Sequence, residues 1–494
     1  MTSPGGLQDI LPLSPLQEGL YFLSTYAAGG PDVYVVQQVL TLDGALDSAR
    51  LRAAAQAVQD RHPNLRAAFR PRKAGQPVQL IPAALPVDFT EADPGANVGE
   101  VAEAERKRPF DLARPPLLRW ALIRLGDERH ALVLTAHHIL LDGWSAPLVV
   151  RDLLTFYAGG KPPAARPYKD YLAWVARQDQ GAAERAWRGA LAGIEEATLV
   201  APGTERAAVE PATIERRVEV ARVAEVARAR GLTLNTVVQG AYALVLAELT
   251  GRDDLVFGAT VSGRPGALGG VEDMVGLFIN TVPVRVRPRP SDTWAGYLAR
   301  VQAEQAALLD HQHVGLATIQ RQAGVGVLFD TLLVFESYPL DEEGLRTLQD
   351  TAGLRLASVT GNDATHYPLT LTVVPGAEQI ALGAEYRAGA VDRDTAVHVL
   401  DRLAELVAAF AADPDGRLAA IRAGELVAVD SALSVPPTLL LDEFDATVRQ
   451  TPDAVALRFG SASLTYAELQ ARVERLARVL VSRGAGPEKV VAVL

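Results

Sequence analysis

The feature that most constrains the fold is a pair of apolar segments joined by a short charged turn. Residues 117–125 read LLRWALIRL, residues 126–129 read GDER, and residues 130–138 read HALVLTAHH. Apolar runs of this length on both sides of a Gly-Asp turn predict a β-hairpin. Successive side chains of a strand point to opposite faces, so we expect His137 and His138 to point apart. One of them is therefore expected to be structural, unless the strand has already ended.

The rest of the chain mixes helical and strand patterns without a regular alternation. Residues 44–69 carry apolar side chains at helical spacing before a turn at His62–Pro63, and residues 234–251 predict a second long helix. Further strand patterns lie at 254–263, 279–288, 329–339 and 368–376, and a closing helical pattern lies at 396–414. This order favours α+β or mixed-sheet lobes over a doubly wound sheet. The Gly- and Pro-rich residues 157–168 form the first predicted linker.

Composition excludes several classes of function. The 494 residues suggest two to four folding units. The net charge of −11 and the lack of a basic stripe argue against nucleic-acid binding. The chain has no cysteine, which excludes disulfides, a thiolate nucleophile and a cysteine-based zinc site. No signal-peptide pattern and no apolar run of roughly 18 residues occur, so we expect a soluble cytoplasmic protein without a membrane partner.

The segment HHILLDG, residues 137–143, carries the candidate chemistry. It lacks a helical i, i+4 histidine pair and a nearby Glu, so we expect no metal site. No Gly-x-Ser-x-Gly occurs, which argues against a serine hydrolase. A histidine at a strand end can act as acid, base or hydrogen-bond partner near neutral pH. Asp142, if buried, must be paired, and Gly143 allows close approach of the backbone to a substrate.

This HHxxxDG segment resembles the signature of condensation domains of nonribosomal peptide synthetases, which are relatives of chloramphenicol acetyltransferase. Other segments resemble further motifs of the family in the right order: LSPLQEGLYF (13–22), RHPNLRAAF (61–69), YKDYLAWVARQ (168–178), VGLFINTVPVRV (275–286), FDTLLVFESYP (329–339) and HYPLTLTVVPG (366–376). The resemblance covers about residues 8–425. A heterocyclising domain has DxxxxD in place of the histidines, and this chain does not.

The resemblance implies two chloramphenicol-acetyltransferase-like lobes that form a V-shaped pseudodimer with a central tunnel. Two 4'-phosphopantetheine arms are expected to enter it, one from an upstream donor carrier protein and one from a downstream acceptor carrier protein. The acceptor α-amine then attacks the donor thioester and forms an amide, without ATP, metal or a covalently bound cofactor in this chain. Bacterial secondary metabolism, such as antibiotic or siderophore biosynthesis, is the setting implied.

The same resemblance assigns roles to the candidate catalytic residues His138, Gly143 and His137 and to the structural residues Asp142 and Arg66. We expect His138 to accept a proton from the attacking amine or to orient it, and the sequence leaves both roles open. Gly143 is expected to donate its N–H to the substrate backbone or to the oxyanion. His137 is expected to support the loop. Asp142 is expected to shape the site through an ion pair, for which the resemblance suggests Arg66.

The finer specificity and two alternatives also rest on the motifs. Residues 13–22 resemble the first motif of the subclass that joins a D-configured donor to an L-acceptor, and residues 332–339 and 366–373 favour the same subclass. These segments could instead pack the lobes without enforcing configuration. An epimerisation domain shares HHxxxDG, but it reads Trp-Phe-Thr in the VGLFINTVP region. A catalytically silent condensation-like module that recruits carrier or tailoring proteins is the other alternative, and the intact motif argues against it.

A third segment follows the condensation-like region. Residues 439–494 resemble the opening of an adenylation domain, whose first core motif matches LTYAEL at Leu464–Leu469. The later ATP-binding motifs are missing from the sequence, so we expect no adenylating activity from it. We therefore predict an N-terminal lobe at 1–177, a C-terminal lobe at 178–425, a linker at 426–437 and a truncated adenylation-domain fragment at 438–494.

Overall fold

The computed structural model describes most of the chain, and all statements on structure refer to the described residues: 6–26, 32–72, 75–203, 211–336, 353–362, 364–376, 378–419, 440–459 and 462–483. The chain divides into two compact units, Met1–Ala419 and Ala420–Leu494. The predicted linker at 426–437 lies outside the described residues.

The strands and helices are numbered in chain order. The described strands are β1 Leu7–Pro12, β2 Val35–Asp43, β3 Ala68–Arg70, β4 Val78–Pro82, β5 Asp88–Glu91, β6 Leu118–Arg124, β7 Arg129–His137, β8 Ala212–Glu219, β9 Leu255–Val261, β10 Asn280–Val286, β11 Thr331–Phe335, β12 Arg355–Asn362, β13 Leu369–Pro375, β14 Gln379–Tyr386, β15 Val455–Phe459 and β16 Ala462–Thr465. The described α-helices are α1 Pro15–Tyr26, α2 Ser48–Arg61, α3 Val98–Lys107, α4 Ser145–Tyr157, α5 Lys169–Ala176, α6 Gln180–Ala190, α7 Ala221–Ala229, α8 Leu234–Thr250, α9 Trp294–Ala306, α10 Leu316–Ala323, α11 Arg393–Ala412, α12 Leu440–Gln450 and α13 Tyr466–Ser482.

The first lobe is built on a five-stranded sheet with the order β12-β2-β7-β6-β5. β6 and β7 form the predicted hairpin, with Leu118 opposite Ala136. Leu132 on β7 packs into the buried cluster that includes α2 and α4, whereas Val133 packs into a second cluster beside α3. Because helices cover both faces, β7 is apolar along nearly its whole length, and its C-terminal end lies inside the lobe.

The helix predicted within residues 44–69 is present, but it is shorter than the pattern. α2 begins after Asp47, whose side chain accepts a hydrogen bond from the Arg50 N–H. Such a cap satisfies one of the unpaired N–H groups at a helix start. The helix ends at Arg61 because Pro63 disfavours helical geometry in the preceding residue. A 3₁₀ turn at Pro63–Arg66 and strand β3 complete the segment.

The second lobe is built on a six-stranded mixed sheet with the order β10-β9-β11-β13-β14-β8. β11 runs parallel to β9 and to β13, while the other pairs are antiparallel. The strands predicted at 254–263, 279–288, 329–339 and 368–376 correspond to β9, β10, β11 and β13, and the predicted helices correspond to α8 and α11. The irregular order of strands and helices confirms the α+β class.

Two segments cross between the lobes. β12 follows the second lobe's β11 in the chain, but it pairs with β2 at the edge of the first lobe's sheet. Val275 and Leu277 enter the buried core of the first lobe. The Tyr168 hydroxyl donates a hydrogen bond to the Leu277 carbonyl at 2.6 Å. These crossings tie both lobes to the strand end that carries the HHxxxDG segment.

The second unit is small. Its described residues form helix α12, the antiparallel pair β15–β16 and helix α13. α13 begins with a capping box, in which the Thr465 side chain accepts from the Glu468 N–H and the Glu468 side chain accepts from the Thr465 N–H. The LTYAEL motif therefore forms a strand-to-helix junction.

Among the described helices, no single one combines the length and the hydropathy that crossing a bilayer requires. Taken together, α7 and α8 are long and apolar enough, but the two helices meet at an angle of 104°. Helix α8 is buried along most of its length in the second lobe.

Candidate active site

The HHxxxDG segment begins where β7 ends. His137 is the last residue of β7, and helix α4 begins at Ser145. The His137 N–H donates to the Leu117 carbonyl at 2.9 Å, and the His138 N–H donates to the Tyr34 carbonyl at 2.8 Å. The two backbone bonds run to different neighbours, so the two side chains leave the strand end in different directions. β7 ends at His137, so strand alternation does not decide the direction of His138, but the two rings do have separate surroundings: His137 faces Asp32 and His138 lines a cavity.

His137 is completely buried and fully hydrogen-bonded. Its Nε2 lies 3.0 Å from the Asp32 Oδ2 and 3.3 Å from the Ser24 Oγ, and its Nδ1 accepts from the Ile139 N–H at 3.1 Å. A ring nitrogen that accepts an N–H cannot carry a proton, so the proton of His137 lies on Nε2 and faces the carboxylate. Both ring nitrogens are engaged in holding the segment, which agrees with a supporting role.

His138 is half-buried and lines a cavity of about 580 Å³ between the two lobes. Its Nδ1 lies 2.9 Å from the Leu141 carbonyl oxygen. Because a carbonyl oxygen only accepts, this contact assigns the proton of the neutral ring to Nδ1 and the lone pair to Nε2. The hydrogen bond therefore fixes both the tautomer and the orientation of the ring.

The cavity is lined by residues of both lobes. The first lobe contributes His138, Gly143 and Tyr34 together with one side of α1, including Glu18 and Phe22. The second lobe contributes parts of β9, β10, β11 and α10 and the segment before β13. Burial raises the pKa of the Glu18 carboxyl.

Asp142 is buried and accepts hydrogen bonds from both lobes. Its Oδ1 accepts from the N–H and the hydroxyl of Ser145, at 2.9 and 2.7 Å. Its Oδ2 accepts from the N–H groups of Phe278 and Ile279, at 2.9 and 3.4 Å. Its own N–H donates to the Gly276 carbonyl at 3.1 Å. The carboxylate therefore anchors the start of α4 to the crossing segment around residues 276–279.

The ion-pair partner of Asp142 is Arg264, and the expected pairing with Arg66 is wrong. The Arg264 Nη2 lies 3.3 Å from the Asp142 Oδ1. The Arg264 guanidinium also lies over the Phe278 ring at 3.9 Å and donates to the Met274 carbonyl. Burial lowers the pKa of Arg264, and the adjacent Asp142 carboxylate opposes that shift. Arg264 therefore fills the place that the resemblance had given to Arg66.

Arg66 is buried elsewhere in the first lobe. It follows Pro63 in the 3₁₀ turn, where its guanidinium donates to the carbonyls of Gln59 and Pro82 at 2.6 and 3.1 Å and to the Gln8 side chain at 2.7 Å. Burial lowers the pKa of Arg66. These hydrogen bonds direct the guanidinium to the end of α2, to β1 and to β4. They do not bring it to Asp142.

Sequence patterns did not single out Arg264, although a local signal exists. Gly263, which precedes it, has a φ of +61°, and a Cβ there would lie 1.7 Å from the Phe278 carbonyl oxygen. Only glycine fits such a close approach with positive φ. The Gly263–Arg264 pair, which begins two residues after the end of strand β9, is therefore the local sequence signal for this buried cation.

Gln17 is a second residue that the sequence analysis did not identify. It lies on α1 and is buried, and its Nε2 donates to the Ile139 carbonyl at 2.9 Å. Its Oε1 accepts from the Gln79 side chain at 2.8 Å. Helix α1, which lines the cavity, is thereby fixed to the loop that carries His138.

The buried polar side chains of the HHxxxDG segment are engaged in hydrogen bonds. Within the described residues, no group of three or more His, Asp or Glu side chains is placed to hold a metal ion. Gly143 is half-buried and lines the cavity next to the Asp142 anchor. From the HHxxxDG segment, His138 and Gly143 are thus the residues that line this cavity.

Comparison with known families agrees with this geometry. The family profile described as condensation domain matches residues 7–423, and the profile described as AMP-binding enzyme matches residues 444–494. The first match spans most of the chain. The second begins within α12 and includes the LTYAEL motif, in agreement with the predicted adenylation-domain start.

Among curated proteins, the chain is similar to a linear gramicidin synthase of Brevibacillus parabrevis, with 37% identity over 99% of the chain and 10% of that protein. It is also similar to chondramide synthase cmdD of Chondromyces crocatus, with 36% identity over 94% of the chain and 13% of that protein. The chain thus spans about a tenth of the length of these relatives. Vanchrobactin synthetase VabF of Vibrio anguillarum is 33% identical over 99% of the chain and 18% of its own length.

Solved structures share the fold. The X-domain in its complex with OxyB from teicoplanin biosynthesis superposes with a TM-score of 0.69 at 26% identity, over 84% of this chain and 96% of that chain. The first condensation domain of the calcium-dependent antibiotic synthetase superposes with a TM-score of 0.67 at 22% identity, over 83% and 98%. The family match, the fold and the HHxxxDG segment together show that this chain belongs to the condensation domains of nonribosomal peptide synthetases, which form peptide bonds, and continues into the start of an AMP-binding domain.

Proposed function

We propose that this chain joins a donor aminoacyl or peptidyl thioester to the α-amine of an aminoacyl acceptor. The observation that carries the proposal is the position of His138, whose ring lines the cavity between the lobes and is oriented by the Leu141 carbonyl. The amine forms the new C–N bond with the thioester carbonyl carbon. The C–S bond then breaks, the donor carrier leaves as a thiol, and the amine loses one proton.

His138 is proposed to accept that proton or to orient the attacking amine. With Nδ1 donating to a carbonyl, Nε2 is the basic atom of the neutral ring. A general base of this kind contributes about 10²–10⁴-fold to a rate, and holding two reactants in place contributes up to about 7–11 kcal/mol. The fixed ring supports both the base and the positioning role. Gly143 is proposed to present its N–H to the substrate backbone or the oxyanion.

The proposed partners are the upstream donor and the downstream acceptor carrier proteins, each with a 4'-phosphopantetheine arm. The lining of the cavity by both lobes supports entry of two arms. An adjacent adenylation domain is supported by the match at residues 444–494. A cytoplasmic location remains a prediction.

Reconstitution tests the proposal. Donor and acceptor carriers are loaded with their thioesters and mixed with the chain, and the amide is measured by mass spectrometry. We expect an amide on the acceptor carrier and a free thiol on the donor carrier. Unchanged thioesters with every donor and acceptor pair tried, from a chain that is folded, would contradict the proposal.

We further propose that the donor ends in a D-configured residue. The supporting observation is that all three subclass-like segments contribute to the cavity, through α1, through Glu336 and through His366 and Tyr367. Side chains that surround the reacting groups are able to select configuration, because a displacement of about 1 Å can slow a reaction a hundredfold.

Matched donors test this second proposal. Two peptidyl donors that differ only in the configuration of the terminal residue are loaded on the same carrier. We expect initial rates for the D-donor that exceed those for the L-donor by about tenfold to a hundredfold. A faster L-donor would overturn the assignment, and equal rates would mean that the motifs reflect ancestry only.

A recruiting module is the second candidate function, because the teicoplanin X-domain, solved in complex with OxyB, is 26% identical. The oriented His138 at the cavity favours the catalytic reading. Epimerisation is the third candidate. It predicts loss of configuration at the donor Cα without amide formation, which the same mass-spectrometric and chiral analysis distinguishes.

A further inference from the structure

Asp32 contacts His137 directly and is linked to His138 through the backbone of Tyr34. Its Oδ2 lies 3.0 Å from the His137 Nε2, and its Oδ1 accepts from the Tyr34 N–H at 3.0 Å. Ser24 adds a third contact, with its hydroxyl 3.4 Å from the Asp32 Oδ1. Each carboxylate oxygen therefore accepts a hydrogen bond from a different group.

These hydrogen bonds connect Asp32 to the end of β7 along two paths. Asp32 binds the Tyr34 N–H, and the Tyr34 carbonyl accepts the His138 N–H at 2.8 Å. On the other side, Asp32 binds the His137 ring, whose Nδ1 accepts the Ile139 N–H at 3.1 Å. The residues directly before and after His138 are thus fixed to one carboxylate.

The carboxylate is suited to this task because it remains ionised. Burial alone raises its pKa, but the hydrogen bonds from His137, Tyr34 and Ser24 lower it below the ordinary Asp value. An ionised carboxylate accepts on both oxygens, which is what two donors on opposite sides require.

Asp32 does not share the cavity of His138. It lines a different cavity, of about 400 Å³, together with Ser24, Phe110 and Asp111. The His137 ring is completely buried, and its Nε2 faces Asp32. Any effect of Asp32 on the reaction therefore passes through the backbone of residues 137–139 and through Tyr34.

We propose that Asp32 is a positioning residue for the amide-forming step, which fixes His138 through His137 and Tyr34. The proposal rests on the role of His138 given under Proposed function. The physical effect is orientation, since a displacement of the His138 ring by about 1 Å can cost a hundredfold in rate. Asp32 exchanges no proton with the substrate.

Asp32→Asn is the sharpest variant because it keeps the shape and removes one acceptor. Its amide carries one oxygen and one NH₂ group, so either the His137 Nε2–H or the Tyr34 N–H then faces a donor. We expect kcat for amide formation to fall about tenfold to a hundredfold. KM for both loaded carriers should stay unchanged, because the cavity that receives the arms is intact.

Asp111→Asn is the matched control. Asp111 lines the same small cavity, and its carboxylate accepts from the Ala113 N–H. This variant should react at the wild-type rate. Melting temperature and circular dichroism are recorded for all variants, so that a loss of folded protein is separated from a loss of rate.

NMR spectroscopy of the wild-type protein tests the contact between Asp32 and His137 directly, because it reports which ring nitrogen of His137 carries the proton. This measurement does not depend on the folding of a variant. In wild-type protein labelled with ¹⁵N-histidine, His137 should show a protonated Nε2 and an unprotonated Nδ1. A wild-type His137 protonated on Nδ1 would overturn the proposal, as would wild-type kcat in folded Asp32→Asn.

The two proposals fail in distinguishable ways. If His138→Ala reacts at the wild-type rate, the role of His138 is refuted, and the Asp32 proposal falls with it. If His138→Ala is inactive while Asp32→Asn matches the wild type, only the Asp32 proposal is refuted. A rise of KM with constant kcat would also refute it, because that pattern indicates weakened binding of the carriers.

Discussion

The two ends of the segment 137–143 are held by different parts of the molecule. At the histidine end, His137 and His138 bind groups of the first lobe, chiefly Asp32 and the Tyr34 carbonyl. At the aspartate end, Asp142 binds Arg264 and the N–H of Phe278, which belong to the chain of the second lobe.

The two ends therefore differ in role: the histidine end serves the proposed reaction, and the aspartate end stabilises the contact between the lobes. The histidine end presents an oriented imidazole to the cavity, with its backbone fixed from within one lobe. The aspartate end has its carboxylate oxygens occupied by donors from both lobes and ties the lobes together. A change at the first end should alter the rate, and a change at the second should alter stability first.

The largest effect is expected at the histidine end. His138→Ala should lower amide formation about 10²–10⁴-fold, because it removes the imidazole that handles the proton. Its melting temperature should stay near the wild-type value. His398→Ala, on the exposed side of α11, is the matched control and should retain full activity. Near wild-type turnover of His138→Ala would remove this residue from the mechanism.

The next effect is expected at the aspartate end. Asp142→Asn and Arg264→Ala each leave a buried charge without its partner, which destabilises a protein by about 3–5 kcal/mol. Urea unfolding followed by fluorescence measures the change in the free energy of unfolding. Two variants that unfold like the wild type would contradict the structural role of the pair.

The smallest effect concerns the choice of partner. In a double-mutant cycle, Asp142→Asn and Arg264→Ala should show a coupling energy of about 0.5–3 kcal/mol, because the two groups are in contact. Asp142→Asn and Arg66→Ala should be additive within about 0.5 kcal/mol, because Arg66 bonds to Gln8, Gln59 and Pro82 instead. Coupling to Arg66 alone would restore the pairing that the resemblance suggested.

Local patterns predicted the parts of the fold that depend on nearby residues. The β6–β7 hairpin follows from two apolar runs and a turn, and α8 follows from apolar spacing between the cap Thr233 and Gly251. In each case the residues that decide the outcome lie within one or two elements of each other.

Contacts between distant segments could not be predicted in this way. Arg264 reaches Asp142 over more than a hundred residues because β9 ends beside the crossing segment. Asp32 reaches His137 over a similar separation through the pairing of β2 with β7. Neither partner follows from a spacing rule, since both depend on strand order. β12 joins the first lobe's sheet for the same reason.

The most direct test of the different roles of the two ends is the rate of amide formation per folded molecule in Asp142→Asn. The variant is assayed with loaded carriers at a temperature where its folded fraction is known from its unfolding curve. The account predicts a rate per folded molecule close to that of the wild type, because Asp142 holds the lobes and handles no proton. A variant that is fully folded and yet inactive would contradict it and would place Asp142 in the chemistry.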